Sequence, residues 1–223
     1  SSLPSGVETI TITPVNGSSI YNTAGQAMAS SESTGAKRLK DKAPSTITGV
    51  SIASDNSTIA VTMSEAVYNT DGGNGALEAS DFTFTISGGA ASLSSATPTS
   101  ISSSGNVYTL GIGISGTPTG AETLTVNPVD NGIYDALGNE SITNQSNNSA
   151  NLKDKAPPTI SGVSLASDNS AIYLTMSEAV FNTNSGSGSL ESSDFSFSIS
   201  GGTATLSSSQ PSEMASSGNV YTL

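Results

Sequence analysis

The side chains able to do chemistry in this chain are almost all carboxylates. Of 223 residues, 18 are Asp or Glu, six are Lys or Arg, and none is His or Cys. Without His there is no side chain with an unperturbed pKa near neutrality, and the usual zinc ligand is missing. Without Cys there is no thiol nucleophile, no thiolate metal site and no disulfide. What remains is an oxygen-rich inventory, the ligand type that Ca2+ prefers. Paired carboxylates also hydrolyse glycosides. The closest pair, Glu78 and Asp81, recurs as Glu191 and Asp194 with no basic residue beside either. That pattern does not supply an acid–base set, and an enzyme is not expected.

These acids recur because the chain repeats itself. The run Ser45–Leu110 returns without a gap as Pro158–Leu223, with "GVSIASDNSTIAVTMSEAVYNT" answered by "GVSLASDNSAIYLTMSEAVFNT". The stretch Gly6–Gln26 matches Gly120–Asn139 after one inserted residue, and "LKDKAP" follows both. The repeat is about 113 residues long, the size of a whole domain and longer than a solenoid unit. The expected division is residues 1–42 as the C-terminal half of one repeat, 43–155 as a complete repeat and 156–223 as the N-terminal half of the next. The sequence reads as a window on an array.

The positioning elements are short strands. "TIAVTMS" puts Ile59, Val61 and Met63 on one face, "FTFTI" does so with Phe82, Phe84 and Ile86, and "ETLTVNP" offers Leu124 and Val126. Turn residues separate these runs: "SDNS" at 54–57, "TDGGNGA" at 70–76, Gly88-Gly89 and "SSSGN" at 102–106. Helical periodicity is absent, apart from one short turn expected near "GALEASDF". Seven or eight short strands in about 110 residues predict an all-β fold of antiparallel β-sandwich domains. Disorder is disfavoured because the alternation keeps its register in both copies. Pro44 and Pro157-Pro158 stiffen the junctions, so the domains are expected as beads on a string.

The topology places the acids. The first strand leaves the junction and turns at Asp55, and the second returns, so Glu65 is expected near the junction residue Asp41. With an odd number of strands the Asp55 turn lies at the other pole, beside Asp154 and the following repeat's Glu178. Asp41, Glu65, Asp55, Asp154 and Glu178 are therefore candidate ligands for Ca2+ at interdomain junctions. Glu78 and Asp81 form a second candidate pair, or else cap the local turn. Alternatively Asp41 and Asp154 pair with the flanking lysines, which contributes little when exposed. Asp135 aligns with Asn22, an exchange that a calcium site tolerates better than loss because both present an oxygen, but it is not among the candidate ligands.

The segments "ITGVSIASDNSTIAVTMSEAV", "IYDALGN" and "KDKAPPTI" resemble the bacterial immunoglobulin-like repeats of giant surface and secreted adhesins. The resemblance covers all three pieces. It implies Greek-key sandwiches, an extracellular, secreted or cell-surface location, and linkers stiffened by calcium.

The expected function is a structural spacer or stalk in a long extracellular adhesin or filament, extending an adhesive tip from the cell. Its partners would be neighbouring repeats of the same chain and other copies in a filament, with strand sharing between chains a lesser alternative. The competing function is a ligand- or glycan-binding module that mediates adhesion directly, for which the variable loop at 70–76 is the best candidate. The net charge of −12 repels nucleic acid and anionic membranes, and no apolar run is long enough for membrane insertion.

Overall fold

A computed structural model of the protein describes residues 2–223. It is mostly β-strand in several antiparallel sheets, with almost no helix. The chain divides into two compact units, residues 1–155 and 156–223, and each is described by itself.

Within the first unit, residues 43–155 form a β-sandwich-like body. One sheet has four strands in the order Ile47–Ile52, Thr58–Met63, Val107–Gly111 and Ile101–Ser104. A second has three, in the order Ser149–Asn151, Thr123–Pro128 and Phe82–Ser87. Strict alternation decides which side chains turn inward, because successive residues of a strand face opposite ways. Ile59, Val61, Met63, Tyr108 and Leu110 from the first sheet meet Phe82, Phe84, Leu124 and Val126 from the second in one buried cluster. Each such fully buried apolar side chain contributes about 2 kcal/mol relative to exposure. Phe82 also sits 6.1 Å from the ring of Tyr108, tilted. Only one turn of 3-10 helix, Ala79–Asp81, interrupts the strands.

Two details are not set by the alternation of the sequence. Ser149–Asn151 looks like an exit segment, yet it is an edge strand paired with Thr123–Thr125. Its Ser, Ala and Asn carry no β preference; the pairing with a central strand imposes the conformation. Ile114 does not continue its strand but joins a separate two-residue ladder with Leu93.

Residues 1–42 carry one short ladder, Thr9–Ile10 against Lys37–Arg38, and one bridge, Tyr21 to Ala27. In the second unit a four-stranded sheet repeats the order of the first: Ile160–Leu165, Ile172–Met176, Val220–Thr222 and Ala215–Ser217. The Phe195–Tyr221 ring pair returns at 6.0 Å, as does the 3-10 turn Ser192–Asp194. The segment 195–200, equivalent to Phe82–Ser87, forms no strand.

Candidate functional site

The acids that converge are Asp41, Glu65 and Asp135. Their ligating oxygens all lie within 4.8 Å of one another. Asp41 arrives from the end of residues 1–42. Glu65 follows the strand Thr58–Met63, whose last residues are tied to the repeat entrance by a Ser64 N–H to Thr46 carbonyl bond of 2.8 Å. Asp135 sits in the "DALGN" turn. The site therefore joins the tail of one repeat to the body of the next.

Each member is held differently. Asp135 is buried, and its Oδ1 accepts the N–H groups of Leu137 and Asn139, both at 2.8 Å. Its Oδ2 accepts from the Asn139 amide at 2.7 Å, and that amide also reaches the Asp41 carbonyl at 3.3 Å. Asp41 Oδ1 accepts the Ala43 N–H at 2.9 Å, so its partner is backbone and not the lysine considered from the sequence. The turn is fixed by glycines at positive φ. A Cβ on Gly138 (φ +78°) would overlap the Asp71 carbonyl, and one on Gly73 (φ +67°) the Ala136 carbonyl. The loop 70–76 is thereby seated on the Asp135 turn.

Electrostatics expose the tension. The Glu65 carboxyl is pushed above its ordinary value, first by burial and then by the charges of Asp135 and Asp41. Like charges gathered in a partly buried place disfavour ionisation. A divalent cation removes the conflict, and the donor set, all carboxylate oxygen, fits a hard ion such as Ca2+. Asp41, Glu65 and Asp135 would hold it. The ion would supply charge neutralisation and a rigid tie across the junction.

The other expected ligands are placed as follows. Asp55 is exposed, and its Oδ1 takes the Ser57 hydroxyl at 2.7 Å and amide at 3.0 Å, which hold its carboxyl below the usual range. Its turn does lie at the far pole: the buried neighbour Asn56 donates to the Lys153 carbonyl and accepts the Lys153 N–H, both at 2.7 Å. Asp154 follows Lys153 and packs close to Gly120. Glu178 belongs to the second unit. Glu78 and Asp81 close the 3-10 turn, with the Glu78 N–H donating to Asp81 Oδ2 at 2.7 Å. Glu191 and Asp194 do the same at 2.8 Å.

Sequence reasoning left Asp135 out because the first hairpin brings only Glu65 to Asp41, and the approach of the "DALGN" turn is a contact between distant segments. Its counterpart Asn22 makes the same turn: Asn22 Oδ1 accepts the N–H groups of Ala24 at 3.0 Å and Gln26 at 2.9 Å. The usable signal was the shared Asx-turn pattern, which keeps the oxygen whichever residue supplies it.

A second special carboxylate is structural. Glu122 is fully buried, yet accepts N–H groups from Ala90 at 2.7 Å, Ala91 at 3.0 Å and Thr119 at 2.9 Å. Burial alone would raise its pKa; the backbone donors outweigh that and hold it at about 2. A Cβ on Gly89 (φ +59°) would overlap this carboxylate, so the Gly88-Gly89 turn is the seat of Glu122.

No family model, no curated protein and no solved structure matches the chain.

Proposed function

We propose that the chain is a run of tandem immunoglobulin-like, Greek-key sandwich modules acting as a structural spacer of a long extracellular adhesin or filament. Near-identical modules suit that role because reach scales with their number. The observation that carries the reading is the joint at Asp41, Glu65 and Asp135, where the last acid of one repeat meets two acids of the next. A Ca2+ ion bound there turns mutual repulsion into a stiff connection. No helix among the described residues is long and apolar enough to cross a membrane.

The test is thermal melting and small-angle scattering of the chain with Ca2+ and with chelator. The expected result is a higher melting temperature and a narrower distribution of shapes with Ca2+, both lost in Glu65→Gln. Identical behaviour in the two conditions would leave the joint passive and remove calcium from the proposal.

One observation favours a second reading, direct glycan binding. A shallow hollow of about 480 Å³ lies beside the loop 70–76, lined among others by Tyr68, Ser102 and Ser103. Retention of the whole chain on a glycan array, abolished by Tyr68→Ala, would put recognition ahead of spacing.

A further inference from the structure

The loop 70–76 carries a reactive pair that its counterpart lacks. The complete repeat holds two Asn-Gly dipeptides, Asn74-Gly75 and Asn131-Gly132. An asparagine followed by glycine is open to attack by its own main chain, because no Cβ shields the following nitrogen. Folding then decides which of the two reacts.

Asn131-Gly132 is locked. The Gly132 N–H donates to the Val129 carbonyl at 3.0 Å. The Asn131 N–H donates to Glu140 Oε1 at 2.5 Å, and its side-chain amide donates to Asp130 Oδ2 at 2.9 Å. Its backbone holds a left-handed φ of 56°. A nitrogen whose proton is engaged by a carbonyl cannot attack until that bond breaks.

Asn74-Gly75 is open. Both residues are exposed, and among the described residues the Gly75 N–H has no acceptor. The Asn74 amide nitrogen has one long bond, 3.3 Å, to the Gly72 carbonyl. The Thr70 hydroxyl lies 3.1 Å from Asn74 Oδ1, the oxygen on which negative charge develops when Cγ is attacked.

Nothing in the geometry of the loop demands the asparagine. The second unit has Ser187 in its place, and the Thr183 hydroxyl bonds to the Ser187 carbonyl as the Thr70 hydroxyl does to the Asn74 carbonyl. The glycine, in contrast, is demanded. Gly75 has a φ of +88°, and a Cβ on it would overlap Asn69 Oδ1; Gly188, at +85°, stands in the same way against Asn182 Oδ1. Any asparagine at position 74 is thereby half of an Asn-Gly pair.

We propose that Asn74-Gly75 is a self-modifying site, which converts to aspartate and isoaspartate in the folded chain and so loosens the Asp135 turn. The Gly75 nitrogen gives its proton to hydroxide and bonds to Asn74 Cγ; the bond from Cγ to Nδ2 breaks, and ammonia leaves. Water then opens the cyclic imide. Breaking the new bond gives aspartate. Breaking the original peptide bond gives isoaspartate, whose main chain is longer by a methylene. The loop is held on the Asp135 turn by two close approaches, Gly73 to the Ala136 carbonyl and Gly138 to the Asp71 carbonyl. The added methylene falls between the Gly73 contact and the Asn69 N–H to Gly75 carbonyl bond of 3.4 Å. Isoaspartate therefore shifts the loop and frees the turn beneath it. The inference rests neither on the spacer reading nor on a bound ion.

The test follows the full chain at mildly alkaline pH, folded and in denaturant. Cleavage after glutamate separates residues 66–78 from 123–140, and mass spectrometry with fragmentation that distinguishes isoaspartate measures conversion in each. In denaturant the two pairs should react at similar rates. On folding, Asn131 should slow several-fold while Asn74 keeps most of its rate. Asn74 slowed as much as Asn131 overturns the site. Asn74→Ser, which copies the loop of the second unit, should fold as the parent does and give no product in 66–78.

Hydrogen exchange at residues 137–139 reads the turn, where the Leu137 and Asn139 N–H groups are held by Asp135. Chains carrying isoaspartate should exchange several-fold faster there than unconverted chains. Asn74→Asp adds the charge without the longer main chain, and should exchange as the parent does. Equal protection in converted and unconverted chains overturns the link from loop to turn, and faster exchange in Asn74→Asp overturns the role given to chain length.

Discussion

Glu122 and Glu8 hold the same place in the repeat, yet one is sealed from water and the other is bathed in it. Both accept bonds from the residue three positions earlier. Only Glu122 also meets the amides of Ala90 and Ala91, which the Gly88-Gly89 turn brings to it. Ile47 and Ile160 differ in the same way: a shared residue type, a shared sheet order, opposite exposure. The difference teaches that turns and hairpins are set by residues close in sequence, whereas the deepest burial needs strands that lie far apart in it. Turns, the ring contact and the four-stranded sheet recur in the second unit; a strand at 195–200 does not.

The sharpest way to break this comparison is in the core. Phe84→Ala should cost about 3–5 kcal/mol of the first unit's stability, and Phe197→Ala within about 1 kcal/mol of the second's. Hydrogen exchange resolved by strand reads each separately. Equal losses would show that Phe197 is packed as tightly as Phe84.

The buried carboxylate comes next. Glu122→Gln should cost on the order of 2–3 kcal/mol, since it unbalances several buried donors, while Glu8→Gln, at an exposed position, should leave the melting temperature unchanged. Acid gives an independent check. The folded pKa of Glu122, about 2, lies below its ordinary 4.5. Its stabilisation is therefore complete above about pH 4.5 and fades as the pH falls toward 2. An acid titration followed by circular dichroism should lose this contribution in Glu122→Gln.

A smaller contrast lies in the paired asparagines. Asn56→Ala loses two hydrogen bonds and a favoured left-handed residue, about 2 kcal/mol together. Asn169→Ala loses the conformational part alone, about 1 kcal/mol. Chemical denaturation of both variants measures the gap.

The smallest effect concerns the joint and has the opposite sign. Glu65 has a folded pKa raised above its ordinary value. In its ionised form it weakens the fold, and the unfavourable contribution grows as the pH rises through the folded pKa. In chelator at neutral pH, Glu65→Gln should raise stability by less than about 1 kcal/mol. A loss of stability there would show that Glu65 has a favourable partner in the folded protein.

Much of the fold was legible because alternation is a local signal. Ile59, Val61, Met63, Phe82, Phe84, Leu124 and Val126 all point inward as their spacing requires. The proximity of Glu65 to Asp41 followed from one hairpin's length. Asp135 was not legible, since its approach to them depends on loop 70–76 and two glycines at positive φ, contacts between segments more than 60 residues apart. Glu122 was visible as a matched acid, but its burial was hidden: a charged residue reads as surface until the amides that surround it are known. Ser149–Asn151 shows the same limit for a strand whose conformation is set by its neighbour.

The turn that bears Asp135 tolerates an amide in place of the acid, as Asn22 demonstrates with the same two backbone partners. Exchanging one for the other changes the formal charge at a connection by one unit and leaves the chain path alone. If the spacer reading holds, otherwise interchangeable repeats can differ, link by link, in how strongly each connection demands a counterion. On that reading, rigid and compliant stretches would be set by a single nucleotide change per link, with no new shape to evolve.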